Sequence, residues 1–160
     1  MTTDSSSADE LTYERSVRIA APREVVFAYF TDPEKMIRWM GTSANVDARP
    51  GGAYRVDING RDIASGQYVE VDPPNRVVFT FGWERGGAPI PPGASTVEVT
   101  LSRDGDETVV RFVHRDLPEP MVPSHAEGWD HFLDRLVVAA AGRDPGPDPW
   151  ATATPASSSD

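Results

Sequence analysis

Three histidines, His114, His125 and His131, are the side chains best suited to acid–base work near neutral pH. There is no cysteine, which removes a thiolate nucleophile, a thiolate-ligated zinc and an iron–sulfur cluster. No His-Glu-x-x-His, no Gly-x-Ser-x-Gly elbow and no phosphate-cradling glycine loop occurs. Pro50-Gly51-Gly52 lacks a lysine and reads as a turn into a hairpin. His125 and Trp129 are spaced i, i+4, so on a helix they point the same way. His114 shares the face of a strand with Val110 and Phe112. Each of these two histidines is either a satisfied polar group at a helix–sheet boundary or an imidazole that anchors or protonates a ligand. His131 reads as solvated. The histidines have no metal-ligand spacing, so no metal and no cofactor is expected, and no residue is assigned a catalytic role.

The aromatic residues say more together than singly. Tyr54, Phe79, Phe81, Trp83, Phe112, Trp129 and Phe132 all fall on the apolar faces of their elements. Concave, mostly apolar sites with a few polar groups are the usual form of small-molecule pockets. Plain core packing is the competing reading, and the better one for Phe112 and Phe132. Trp39 and Trp83 lie near element ends, where a pocket mouth would be. The candidate ligand-binding set is therefore Trp39, Tyr54, Phe79, Phe81, Trp83, His114, His125 and Trp129.

These side chains need elements to position them. Val17 and Ile19 share one face of a first strand over Tyr13–Ile19. Apolar positions at helical spacing predict a short helix over about 22–31, with Pro22 in its first turn. Thr31-Asp32-Pro33-Glu34 is a capping pattern that opens a second short helix ending near Gly41. The period then changes to two. Strands are predicted over about 53–59, 63–71, 77–83, 97–101 and 108–114. Asn59-Gly60 predicts a two-residue hairpin turn between the first two of these, and residues 86–93 predict a Gly/Pro-rich loop. Ser124 with Glu127 forms a capping box for a last helix. Trp129, Phe132, Leu133, Leu136, Val137 and Ala140 make its apolar stripe, and Gly142 ends it. A one-faced sheet must bury that face, and only this helix is long enough to cover it.

The chain has 160 residues and a net charge of −10. Residues 1–10 carry −3 and residues 143–160 carry −2, leaving −5 on the middle. Both ends are poor in large apolar residues and rich in Ser, Pro, Ala and Asp, so they are expected to be disordered tails around one domain at 11–142. Trp150 in the second tail either docks on the domain or is exposed. The acidic balance argues against a nucleic-acid partner and against an anionic membrane surface. No apolar run approaches the ~20 residues of a membrane span and no secretory signal is visible, so a cytoplasmic location is expected. Arginine outnumbers lysine fourteen to one, which suggests a bacterial source of high GC content.

Four stretches in order resemble a known family. They are Ala21-Pro22-Arg23-Glu24-Val25-Val26-Phe27 through Thr31-Asp32-Pro33-Glu34 to Trp39; Arg49-Pro50-Gly51-Gly52-Ala53-Tyr54-Arg55; Gly66 through Arg76 with its Asp72-Pro73-Pro74-Asn75 turn; and His125-Ala126-Glu127-Gly128-Trp129. Over about residues 11–142 the chain resembles the SRPBCC or START-like superfamily. Its branch is the one similar to the C-terminal domain of activators of the heat-shock-protein-ninety ATPase. The resemblance implies an α+β helix-grip fold: a curved antiparallel sheet of about six or seven strands around a long C-terminal helix, with two short helices after the first strand. It also implies a cavity between sheet and helix. Members of the superfamily carry lipids and other hydrophobic ligands, cyclise polyketides, form oxygenase subunits or act as co-chaperones, and fold alone does not choose among these. The expectation is binding of a small hydrophobic, lipid- or polyketide-like molecule. A cyclase or dehydratase, and a module that binds a chaperone or regulator as its protein partner, are the alternatives.

Overall fold

The computed structural model describes residues 12–60, 62–84 and 93–146. Strand β1 (Tyr13–Ile19) is followed by two short helices, α1 (Arg23–Ala28) and α2 (Pro33–Met36). Six more strands follow: β2 (Ser43–Val46), β3 (Ala53–Asp57), β4 (Ile63–Asp72), β5 (Arg76–Trp83), β6 (Ser95–Asp104) and β7 (Glu107–Arg115). A single 3₁₀ turn at Glu119–Met121 leads into the long helix α3 (Val122–Ala140). The seven strands form one sheet in the order β1-β7-β6-β5-β4-β3-β2, and every adjacent pair is antiparallel. This is the α+β, helix-grip arrangement.

Period-two alternation makes the sheet one-faced. Along β6 and β7 the buried residues are Ser95, Val97, Val99 and Leu101, then Thr108, Val110, Phe112 and His114. The opposite face carries ion pairs such as Arg111–Glu14, and Glu98 sits between Arg76 and Arg115. These exposed pairs contribute little each, on the order of 0–1 kcal/mol. Helix α3 buries His125, Trp129, Phe132, Leu133, Leu136, Ala139 and Ala140 against the sheet. Full burial of each large apolar side chain there contributes roughly 1.5–3 kcal/mol, so this stripe is what holds the helix in place. Gly66 permits a close approach of β4 and β5, since a Cβ there would lie 1.9 Å from the Thr80 carbonyl oxygen.

Several local expectations change. Strand β2 lies in a stretch to which the sequence pattern assigns no element: it is four residues long and has no large apolar alternation. The β3–β4 connection is not a two-residue turn, because Asp57 pairs with Ile63 and the Ile58 amide bonds the Asp62 carbonyl at 2.9 Å. Side-chain bonds from Asp57 to the Gly60 amide and from Asn59 to the Asp62 amide organise this wider loop. Asp32 does cap α2, accepting from the Glu34 amide at 2.9 Å. Ser124 does not cap α3. The helix already begins at Val122, and the Ser124 hydroxyl donates back to the Met121 carbonyl at 3.1 Å. Of the expected tails, residues 143–146 are irregular chain, with Arg135 donating to the Gly146 carbonyl at 3.0 Å. The rest of both tails, Trp150 among them, and residues 86–92 of the expected loop lie outside the described residues.

Candidate functional site

Phe81 on β5 is the centre of the aromatic interior. Its ring lies 5.0 Å from His114, 5.4 Å from Trp129, 5.4 Å from Trp83, 6.4 Å from His125 and 6.3 Å from Tyr54. Phe79, two residues earlier on the same face, stacks on Tyr54 at 4.1 Å. Seven of the eight residues singled out from the sequence are therefore joined through ring contacts. The eighth, Trp39, lies elsewhere: its ring meets Phe30 at 5.4 Å and its indole N–H donates to the Tyr29 carbonyl at 2.9 Å. It ties the α1–α2 segment together in the core. His131 is half-buried, its ring edge-on to Phe132 at 5.1 Å.

His114 is fully buried and bonded at both ring nitrogens. The Trp129 indole can only donate, and it does so to Nδ1 at 2.9 Å. The proton of the neutral ring therefore sits on Nε2, which donates to Ser95 Oγ at 2.7 Å. The Ser95 hydroxyl passes its own proton to the Phe81 carbonyl at 2.6 Å. One relay thus crosses α3, β7, β6 and β5, and every donor in it has an acceptor. Burial disfavours the imidazolium and nearby His125 opposes it further, which lowers the His114 pKa to about 3.

His125 has the opposite tautomer. Its Nδ1 faces the Met121 carbonyl at 2.9 Å and so carries the proton. Its Nε2 accepts from the Trp83 indole at 3.1 Å. Burial pushes its pKa down. Trp83 ends β5 and is only half-buried. The two imidazoles lie edge to face, 5.6 Å apart. No carboxylate bonds either ring among the described residues, and no group of three His, Asp or Glu there could hold a metal ion.

Tyr54 stands apart among the tyrosines. Tyr13 donates to Asp130, Tyr29 to the Ala139 carbonyl and Tyr68 to the Phe30 carbonyl. Tyr54 is 2% exposed, yet its hydroxyl has no hydrogen bond among the described residues. Burial raises its pKa well above the ordinary phenol value, so it stays protonated. That oxygen is not among the fully buried unpaired atoms of the described residues, so it keeps some accessible surface and is open to a bond from outside the protein.

Away from this cluster, a concavity of about 320 Å³ is lined by Pro22, Arg23 and Glu24 of the α1 entry and by Arg103, Gly105, Asp106 and Glu107 of the β6–β7 turn. It lies at the end of β7 remote from His114 and has a charged, mixed-sign wall.

Sequence reasoning missed Ser95 and Tyr68. Ser95 was findable, because carrying the Val97–Val99 alternation back by two residues places it on the buried face. Tyr68 follows the same rule on β4, where it meets Tyr54 at 5.9 Å and Phe79 at 6.0 Å.

The family model described as Activator of Hsp90 ATPase homolog 1-like protein matches residues 20–141. The chain belongs to this AHSA1 family. An AHSA1-like protein from Rhizobium etli, solved in solution, is 45% identical over 87% of this chain and 87% of its own, with a TM-score of 0.69. CalU16 from Micromonospora echinospora is 30% identical over 82% of this AHSA1-family chain and 76% of its own, with a TM-score of 0.68. An HSP90 activator from Plasmodium falciparum, 22% identical over 79% of this chain and 93% of its own at a TM-score of 0.66, shares the fold. No curated protein matches the chain.

Proposed function

We propose that this AHSA1-family protein binds a small, largely apolar molecule of lipid- or polyketide-like size against the aromatic wall of Tyr54, Phe79, Phe81, Trp83 and Trp129. The observation that carries this reading is Tyr54: a side chain packed among aromatic rings whose protonated hydroxyl keeps accessible surface and has no partner among the described residues. A wall of apolar rings with one free polar handle is the usual composition of a small-molecule site. The histidines support binding over turnover. His114 has both nitrogens committed within the protein, so it has neither a lone pair nor a proton to exchange with a substrate.

Native mass spectrometry of freshly purified protein tests the reading. The expected result is a co-purified small molecule that is retained by the wild type and depleted in Tyr54→Phe. Apoprotein alone from several hosts, together with no binding of apolar aromatic probes, would overturn it.

A further inference from the structure

The tautomer of His125 decides which ligands can be anchored at its end of the site; this deepens the binding reading and rests on it. The Met121 carbonyl accepts from Nδ1, so Nε2 presents a lone pair and nothing else. Its partner is the Trp83 indole, at 3.1 Å. That bond differs from its counterpart at His114 in one respect. Trp129 is buried at 4% exposed, whereas Trp83 is half-buried at the end of its strand. A Trp129 N–H deprived of His114 would be orphaned in the core. A Trp83 N–H deprived of His125 can turn to water.

We propose that His125 Nε2 is the polar anchor of the bound molecule, and that it selects a flat apolar ligand bearing a hydroxyl, whose O–H takes the place of the Trp83 N–H. An ether or carbonyl at the same position would set lone pair against lone pair. Sites built to hydrogen-bond a hydroxyl reject analogues lacking it, because the site's own polar group is then left unpaired. Here the analogue leaves the Trp83 bond intact, so the discrimination is moderate, about tenfold.

Calorimetric titration with 2-naphthol and with 2-methoxynaphthalene separates the possibilities. In the wild type 2-naphthol should bind about tenfold more tightly. Trp83→Phe removes the competing donor and should widen the ratio. His125→Phe should bring it close to one. The ¹⁵N resonance of His125 Nε2 should shift with 2-naphthol and stay in place with its methyl ether. Equal binding of both probes by the wild type would overturn the donor rule and leave the binding reading standing. A wide ratio that persists in folded His125→Phe would place the anchor elsewhere. Should His125→Phe fail to fold, an unchanged ratio in Trp83→Phe or an unmoved Nε2 resonance overturns the proposal. Binding of neither probe at millimolar concentration would overturn both readings.

Discussion

His114 and His125 face each other across one aromatic cluster and each accept a hydrogen bond from a tryptophan. Their surroundings differ. Around His114 the relay Trp129–His114–Ser95–Phe81 is closed, with every polar atom paired and buried. Around His125 the relay ends at a half-buried tryptophan, and Tyr54, on the other side of Phe81, has no partner at all among the described residues. The first half is built as structure. The second ends nearer the surface, and the proposed ligand binding rests on it. A buried polar network adds to uniqueness when fully satisfied, and each open position in it is costly unless something outside the fold fills it.

The largest expected effect separates the two histidines directly. His114→Ala should cost about 3–5 kcal/mol, since it leaves a cavity and orphans the Trp129 N–H. His125→Ala should cost about 1–2 kcal/mol, because Trp83 can rehydrate. Urea denaturation of the two variants checks this, and equal losses would erase the distinction.

Acid should reveal the same asymmetry. An unfolded histidine titrates near its ordinary value, whereas folded His114 resists protonation down to about pH 3. Between those values the unfolded chain binds the proton that the fold refuses. The stability His114 confers is therefore complete above about pH 6.5 and falls as the pH drops toward 3, by up to about 1.4 kcal/mol per pH unit. His125 acts in the same direction. Most of the slope measured by denaturation at several pH values should survive in His125→Ala.

The tyrosines give a smaller contrast of opposite sign. Tyr68→Phe loses a buried bond to the Phe30 carbonyl and should cost about 1 kcal/mol. Tyr54→Phe loses none and should leave stability unchanged or raise it by up to about 1 kcal/mol. Thermal melts of the pair check this; a Tyr54→Phe loss matching that of Tyr68→Phe would mean that the hydroxyl is already satisfied. Trp83→Phe, in turn, should cost about 0.5–1 kcal/mol, less than Trp129→Phe under the same denaturant titration.

Much of this molecule is legible in one dimension. The strand faces follow from alternation, the α3 stripe from its 3.6-residue period, and the family from four ordered motifs. Membership of the aromatic cluster was legible for seven of the eight chosen residues, because a side chain on the inner face of a central strand has only the helix to meet. Trp39 escaped that logic. Its position near an element end suggested a pocket mouth, whereas its indole bonds back to the Tyr29 carbonyl and its ring packs on Phe30. Strand β2 escaped because pairing with β3, rather than its own pattern, makes it a strand. The α3 start escaped because Ser124 sits inside the first turn.

By itself, then, the sequence determined which side chains face inward, since periodicity is a local property of the backbone. It also excluded thiol chemistry, by composition. Only the tertiary structure decided what the inward polar groups do. A histidine's tautomer is set by which donor and which carbonyl arrive from other elements. Trp129 and Ser95 reach His114 from two different elements, Trp83 reaches His125 from a third, and none of the described residues brings Tyr54 a partner. Those meetings separate a fully enclosed imidazole from one bonded to a half-buried tryptophan, and they depend on contacts between residues far apart in the chain.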